Sequence, residues 1–363
     1  MRPSTVIALI ATLLVAGPAG ARRAAPADQA GGSVPHDPMP PGDGGVTPLP
    51  PLPPSVHAQR ATDYQGLHNV VAFHEGVLSG SVPEGDAGFD TLQALGVRTI
   101  LSVDGALPDL DRARARGMRY VHLPIGYDGF DDARKAELAR AVRDLPRPIY
   151  IHCHHGKHRS AGATAAVAVS LGWLSNDAAA ARMKIAGTAP GYTGLWQCTA
   201  EAAPMTAAAI DAAGADFPER TVPGSLVAAM VEIDDVHDRL KRAQRAGWRA
   251  PATHPDLAPL ADAGRLADLY RLLDDDAQLT DVPEAERAMV REWLVREGLA
   301  ASRLEVLLES FDAQGSDRAA LVRRADASLA MLGAGCKACH AAHRDEPTAL
   351  RTGTRASPTP SAR

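Results

Sequence analysis

The sequence has few aromatic residues and few cysteines. Phenylalanine, tryptophan and tyrosine make up 4% of its 363 residues, and four cysteines occur. Four cysteines are too few for the disulfide framework of a small secreted scaffold in a chain of this length. The formal net charge of -5 gives no reason to expect a nucleic-acid partner. With 45% hydrophobic and 22% charged residues, the chain has the composition of a folded protein and is long enough for two domains.

Long hydrophobic runs are absent after the N-terminal segment. No later stretch reaches about 18 unbroken apolar residues, so we expect no membrane span once that segment is removed. The segment has the features of an export signal, because Arg2 precedes an apolar run over 6–15 and the Ala-Gly-Ala at 19–21 fits a cleavage site. We predict a signal peptide at 1–21 and a secreted, periplasmic protein. An uncleaved apolar tail is the alternative.

The first half of the chain changes character near residue 61. Residues 22–60 are rich in proline and glycine, which predicts an extended, mobile linker. Between 61 and 205, short apolar strands alternate with short helices. This alternation predicts an α/β domain with a central, mostly parallel sheet flanked by helices. Ligands of such sheets bind beyond the carboxyl ends of the strands. Residues 206–222 read as a connection.

The second half predicts an all-α domain over 223–345. Leucines and alanines recur at helical spacing in segments joined by short polar loops, and this pattern is typical of a four-helix bundle. The four predicted helices cover 225–245, 256–274, 283–308 and 317–343. Residues 346–363 predict a disordered tail.

One stretch of the α/β region carries the elements of a reaction. A β-branched and aromatic strand over 149–152 leads into Cys153, and after five intervening residues come Arg159, Ser160 and an alanine-rich helix. Loop amides and a helix N-terminus form an anion site. Arginine adds a planar fork that suits phosphate. A nucleophilic thiolate and an oxyanion clamp on one loop suggest phosphoryl transfer through a cysteine.

The order His152-Cys153, five residues, Arg159-Ser160 resembles the signature of the protein tyrosine and dual-specificity phosphatases. The resemblance covers roughly 64–205, and the strand before and helix after the motif make it fairly specific. The loop looks most like that of atypical dual-specificity enzymes of plants and fungi, some of which act on inositol pyrophosphates. The resemblance implies a cysteine-dependent protein phosphatase.

The resemblance also implies a role for each residue of the loop. Cys153 would attack phosphorus, Arg159 and the loop amides would hold the equatorial oxygens, and Ser160 would hydrogen-bond the leaving thiolate. His152 is expected to orient the loop. The sequence departs from the common pattern at Ala161, which is small but is not glycine. The remaining loop residues are expected to bind substrate, with the histidines and the lysine adding positive charge or else facing solvent: His154, His155, Gly156, Lys157 and His158.

A general acid should protonate the leaving oxygen. In the resembled families it is an aspartate on a loop upstream of the cysteine, which implies Asp128, 25 residues before Cys153. Asp131 is better explained as a helix N-cap, and Asp131 or Asp132 is the alternative acid. For the whole loop, a buried structural cysteine and a phosphate-binding loop without catalysis are the competing interpretations.

A second motif lies near the C-terminus. Cys336-x-x-Cys339-His340 is the attachment motif of c-type haem. Two thiols three places apart on a helix both reach the porphyrin, and the following histidine ligates the iron. We therefore expect a covalent haem c in the interior of the helical domain.

The run from Cys336 to Arg344, at the end of the fourth helix, resembles the cytochrome c-prime family. Those proteins are four-helix bundles that carry haem on the last helix, and the resemblance covers roughly 222–345. It implies a sixth iron site that is open or filled by a methionine of the first helix, here Met230. His237 on the same helix is expected to be a surface or packing residue.

Other interpretations of the cysteines stay open. Cys336 and Cys339 could form a disulfide, or could bind zinc together with His340 and His343. Cys198 is either a packing thiol or a partner that bridges Cys153 reversibly.

The sequence predicts an exported phosphatase fused to a c-type haem domain that senses redox state or a gas. Its partners would be a phosphorylated protein or small molecule and a redox partner. One alternative is an electron-transfer or haem sensor protein whose cysteine loop only binds an anion. Another is an interaction module stabilised by zinc or a disulfide. Phosphotyrosine, phosphoserine, inositol phosphates and polyphosphate all remain as substrates.

Overall fold

The structure is a computed structural model that describes residues 51–221, 225–251, 257–275, 278–280, 282–313 and 315–343. These residues belong to one compact unit. The predicted signal peptide, most of the predicted linker and the predicted tail lie outside the described residues. No helix in the described ranges is long and apolar enough to cross a membrane.

The first described part is a mixed sheet of six strands flanked by helices, in the order β1-β2-β3-β6-β4-β5. The strands are β1 Thr62–Tyr64, β2 Leu67–His74, β3 Val77–Ser81, β4 Thr99–Ser102, β5 Arg119–His122 and β6 Ile149–Cys153. β3, β6, β4 and β5 run parallel, whereas β1, β2 and β3 pair antiparallel through tight turns. The predicted parallel arrangement is therefore correct for β3, β6, β4 and β5. The antiparallel pairing of β1, β2 and β3 makes the whole sheet mixed.

Seven helices belong to this part: α1 Gly85–Ala94, α2 Leu110–Ala115, α3 Asp132–Asp144, α4 Arg159–Ser170, α5 Asn176–Ala186, α6 Thr193–Ala200 and α7 Ala207–Asp211. All twelve residues of α4 are buried. Its alanines, glycine and serines leave room for the sheet on one side and for α3, α5 and α6 on the others. This burial fixes the start of α4, and with it the loop that precedes the helix.

Two predicted connections are more ordered than the sequence suggested. Ala58, near the end of the predicted linker, accepts a hydrogen bond of 2.7 Å from Arg182. The segment after α7 runs along the edge strand β5, where the His122 amide donates to the Pro218 carbonyl at 2.8 Å and the Thr221 hydroxyl donates to the His122 carbonyl at 2.7 Å. By covering the exposed edge of the sheet in this way, the segment provides hydrogen-bond partners for the backbone groups of β5.

The second described part consists of four long helices: α8 Leu226–Arg245, α9 Pro259–Leu273, α10 Glu284–Glu309 and α11 Arg318–His343. Their bounds agree with the sequence prediction to within about three residues. α9 packs against α8 and α10, and α11 packs against α10 and α8. Twelve of the fifteen residues of α9 are buried, because its remaining side lies against the α/β part.

Candidate active site and a second cysteine site

The predicted strand, loop and helix around Cys153 are confirmed. β6 ends at Cys153 and α4 begins at Arg159. Gly156 lies between them with a φ of +74°, and a Cβ atom there would collide with the backbone nitrogen of Ser81 on β3. Only glycine avoids both the backbone strain and this collision. The loop is thus pressed against the sheet at the carboxyl ends of its parallel strands.

Cys153 lies on the floor of this loop and is 2% exposed. Its Sγ is 3.4 Å from the Oγ of Ser160, which itself donates to the Gly80 carbonyl at 3.3 Å. His152 lies behind the loop, with its Nε2 2.6 Å from the Tyr120 hydroxyl. Burial lowers the pKa of His152 to about 4, so this imidazole is neutral. These contacts agree with the expected roles of Ser160 beside the thiol and His152 as support.

Arg159 is 1% exposed and has three partners. Its Nη2 donates to the Tyr127 hydroxyl at 2.9 Å, to Asp104 Oδ1 at 3.1 Å and to Asp268 Oδ1 at 3.0 Å, and its Nη1 donates to Asp268 Oδ2. Burial by itself lowers the pKa of Arg159, but the neighbouring acidic groups outweigh it and raise that pKa well above its ordinary value. The guanidinium therefore stays charged, and its two terminal nitrogens are bonded to the carboxylates of Asp104 and Asp268.

Two of these partners belong to the α/β part and were not singled out in the sequence. Asp104 follows β4, so it lies at the carboxyl edge of the sheet beside the loop. Its burial alone would raise its pKa, but Arg159 and Arg271 hold that pKa well below its ordinary range. The sequence signal for Asp104 is its position two residues after a buried parallel strand, at the edge where ligands of such sheets bind. Tyr127 neighbours the predicted acid Asp128, yet it is the tyrosine that contacts Arg159.

The loop histidines differ from the expectation of positive charge. Burial, followed by the nearby Arg271, lowers the pKa of His154 to about 3 and that of His155 to about 4. Burial also lowers the pKa of His158 well below its ordinary value. These three imidazoles are neutral at pH 7, so that expectation is wrong for them. His158 instead packs on the ring of Tyr192, with 4.2 Å between centroids.

The predicted acid loop lies between β5 and α3. Asp128 is exposed there and its carboxyl group lies against Gly126. Asp131 Oδ1 accepts from the Arg134 amide at 2.8 Å, which confirms the predicted N-cap. Asp132 pairs with Lys135 at 3.0 Å. Asp128 thus remains the predicted acid, on an exposed loop whose other two carboxylates have structural partners.

Cys198 supports this acid loop from below. Its Sγ accepts from the Phe130 amide at 3.1 Å and lies 3.2 Å from the Phe130 carbonyl. Both Cys198 and Cys153 are free thiols. These contacts favour the packing interpretation of Cys198 over the reversible bridge to Cys153.

The second cysteine site lies on α11. Cys336, Cys339 and His340 line a cavity of about 90 Å³ together with residues of the other three helices. Both cysteines are free and half-buried, and the Tyr270 hydroxyl is 3.4 Å from Cys336 Sγ. The residues that complete the lining are Met230, Ile233, Asp234, His237, Tyr270, Trp293, Leu294 and Glu297.

The chemistry of this lining fits a covalently held porphyrin. Two free thiols and a histidine on one helix face apolar and aromatic side chains. His237 Nε2 is buried and has no hydrogen-bond partner among the described residues, and burial lowers the pKa of His237. The cavity is smaller than the roughly 300–1,000 Å³ typical of small-molecule sites. The side chains around it would therefore have to move outward to admit the group.

The other interpretations of this motif find less support. Within the described ranges, no cluster of three or more His, Cys, Asp and Glu side chains has the arrangement of a metal site. His343 Nδ1 lies instead 3.2 Å from a carboxylate oxygen of Glu286. The contact with Glu286 counts against His343 as a zinc ligand.

Comparisons with known proteins give only structural likenesses. No family model matches the chain, and no curated protein matches it. The crystal structure of TpbA from P. aeruginosa is 21% identical, with a TM-score of 0.31, over 40% of this chain and all of that one. A second TpbA structure, in complex with pTyr, is 22% identical, with a TM-score of 0.30, over 40% of this chain and 99% of that one.

The core catalytic domain of the PP-IP phosphatase SIW14 from S. cerevisiae is also similar. It is 16% identical, with a TM-score of 0.27, over 41% of this chain and 87% of that one. With TM-scores this low, these likenesses do not establish a family for the chain.

Proposed function

We propose that the chain is a cysteine-dependent phosphatase that hydrolyses phosphomonoesters through a phosphocysteine. The observation that carries this proposal is the loop itself. Cys153 ends a buried strand and Arg159 begins a buried helix, with a tight loop between them and Ser160 Oγ 3.4 Å from the thiol. A buried structural cysteine would require neither a glycine at position 156 nor the arginine at the helix start.

We assign the steps of this reaction to the residues of the loop and to Asp128. The Cys153 thiolate attacks phosphorus, and as the S–P bond forms the bond to the leaving oxygen breaks. Asp128 gives its proton to that oxygen. Water then attacks phosphorus, Asp128 takes a proton from it, and the S–P bond breaks to release phosphate. Arg159 and the loop amides hold the equatorial oxygens throughout, and Ser160 stabilises the departing thiolate.

We further infer that the helical part is a four-helix bundle of the cytochrome c-prime type. Cys336 and Cys339 would hold haem c by thioether bonds, His340 would ligate its iron, and Met230 would be the candidate for a second protein ligand. When bound, the haem supplies a redox centre that can also take a gaseous ligand. Since haem c is attached outside the cytoplasm, this proposal goes together with export to the periplasm. It also implies a redox partner.

The hydrolase proposal is tested by replacing the nucleophile. Cys153→Ser should lower kcat/KM for p-nitrophenyl phosphate and a phosphotyrosine peptide by about 10³ or more, because a serine hydroxyl is a far weaker nucleophile here than a thiolate. Cys198→Ser is the matched control, since it removes the other buried thiol of the same domain. Wild-type activity that survives Cys153→Ser would contradict the proposal.

The haem proposal has a spectroscopic test. Protein matured with haem should show a Soret band and a pyridine haemochrome of the c type, and replacing Cys336 and Cys339 by serine together should abolish covalent attachment. A wild-type protein without a Soret band would contradict it.

A second function is favoured by one observation. Cys153 is 2% exposed. A thiol this buried is shielded from a substrate, which favours an electron-transfer or haem sensor protein whose loop only binds an anion. It predicts oxyanion binding with no turnover.

A further inference from the structure

A carboxylate of the helical part binds the arginine that the proposed reaction uses to hold phosphate. Asp268, on α9, is 1% exposed, and both terminal nitrogens of Arg159 donate to it. Two N–H groups of one guanidinium facing two oxygens is the bidentate arrangement by which arginine binds carboxylate and phosphate alike. Asp268 therefore occupies both terminal nitrogens of Arg159.

The surroundings of Asp268 hold it in this position. Arg271, one turn further along α9, also donates to its Oδ1. On the opposite side, a Cβ atom at Gly105 would lie 3.1 Å from Asp268 Cβ, so a glycine lets α9 approach the loop this closely. Glu305 on α10 secures the same contact surface by accepting a hydrogen bond of 2.7 Å from the Tyr192 hydroxyl.

Two features distinguish this contact from a purely structural ion pair. The Nε of Arg159 is buried and has no hydrogen-bond partner among the described residues. Burial also raises the pKa of Asp268, although Arg159 and Arg271 both act to lower it. The arginine thus keeps one unused donor, and the aspartate is charged in a place that disfavours its charge. An arriving oxyanion could use that donor and release the aspartate to water.

We propose that α9 is an autoinhibitory element of the phosphatase site, with Asp268 holding the Arg159 guanidinium until α9 withdraws. This inference rests on the proposed phosphatase function. An oxyanion bound to Arg159 competes with the Asp268 carboxylate, because both are anions that bind the same guanidinium. Cys153 is also buried in this state, so the thiol needs a movement of the structure to become accessible.

The same helix reaches the second cysteine site. Tyr270 is two residues from Asp268, which places it on nearly the opposite face of α9. Its hydroxyl lies 3.4 Å from Cys336 Sγ, at the cavity of the helical part. α9 therefore contacts the phosphatase loop through one face and the cavity through the other.

Asp268→Asn in the full-length, matured protein tests the proposal. It removes the competing charge and preserves the shape, so we expect tungstate, a phosphate mimic, to bind at least about 10-fold tighter by calorimetry and kcat/KM for p-nitrophenyl phosphate to rise by a similar factor. Asp262→Asn is the matched control, because Asp262 is a carboxylate of the same helix that pairs with Arg239 at 2.8 Å and not with the loop. Its tungstate affinity should equal that of the wild type.

The outcomes separate the two proposals. If Asp268→Asn binds tungstate more tightly but hydrolyses nothing, the autoinhibitory contact stands and the hydrolase proposal fails. If the wild type is active and Asp268→Asn neither binds tungstate more tightly nor turns over faster, the autoinhibitory contact fails alone.

A second measurement needs no substitution. In wild-type protein, saturating tungstate should speed hydrogen exchange of the α9 amides, because the anion displaces Asp268 and loosens the helix. This measurement decides the matter if Asp268→Asn does not fold. Exchange that stays unchanged or slows at α9 would overturn the proposal.

Discussion

The two cysteine sites of this chain differ in how far the protein itself fills them. At the first, Cys153 is 2% exposed and the charged fork beside it is bonded to Asp104 and Asp268. At the second, Cys336 and Cys339 are half-buried free thiols beside a cavity. One site is closed by buried charges, and the other is open toward an apolar space.

This difference suggests how each site responds to a ligand. A buried network of paired charges is disrupted when any member is removed, since the remaining charges stay buried without a counter-charge. Filling a cavity lined by apolar side chains stabilises the folded protein. α9 contributes Asp268 to the first site and Tyr270 to the second. A change at either site therefore acts on a residue of the same helix.

Removing the Arg159 cation should have the largest effect on the site around Cys153. Arg159→Ala leaves Asp104 and Asp268 buried with one counter-charge fewer, Arg271 being the one that remains, so we expect the free energy of unfolding to fall by about 3–5 kcal/mol and phosphatase activity to fall by about 10³. Guanidinium denaturation followed by circular dichroism measures the first effect. Arg143→Ala, which removes a more exposed pair with Asp144 and Asp211, should cost far less. Equal losses in the two variants would mean that the buried network adds little stability.

The sequence predicts the loop but not what closes it. A strand, a cysteine, a glycine-containing turn and a helix start are local features, and so are the caps and spacings that mark α8 to α11. The Arg159–Asp268 pair joins residues 109 positions apart, and no local pattern in a single sequence indicates such a partner. The loop histidines show the same limit of local sequence patterns. Their protonation depends on burial in the folded protein, which residue type alone does not indicate.

The contrast between the two sites can also be measured directly by thiol labelling. In reduced protein prepared without haem, a maleimide should modify Cys336 and Cys339 about 10²-fold faster than Cys153, because a buried thiol reacts only when the structure opens locally. Peptide mass spectrometry gives the rate at each cysteine. Asp268→Asn should speed the labelling of Cys153 and leave Cys198 unchanged. Similar rates at all four cysteines would remove the contrast.

The smallest expected effect concerns a carboxyl group that helps to seal the closed site without touching Arg159. Glu305 accepts from Tyr192 through Oε1, while its Oε2 is buried without a partner among the described residues. Burial raises the pKa of Glu305 to about 7 from an ordinary 4.5. The folded protein therefore holds a proton here that the unfolded chain has already lost. The stability that depends on this proton is complete below about pH 4.5 and is lost as pH rises through 7.

Glu305→Gln should remove this dependence, because an amide keeps the size of the protonated acid and cannot ionise. At pH 8 we expect the variant to be more stable than the wild type by about 2 kcal/mol, and at pH 4 the two should unfold alike. Urea denaturation at pH 4, 6 and 8 measures both limits. Glu309→Gln, a more exposed change on the same helix, should leave the profile of the wild type intact. If Glu305→Gln instead destabilises the protein equally at every pH, the ionised carboxylate is a stabilising partner of Tyr192, and burial does not set its protonation.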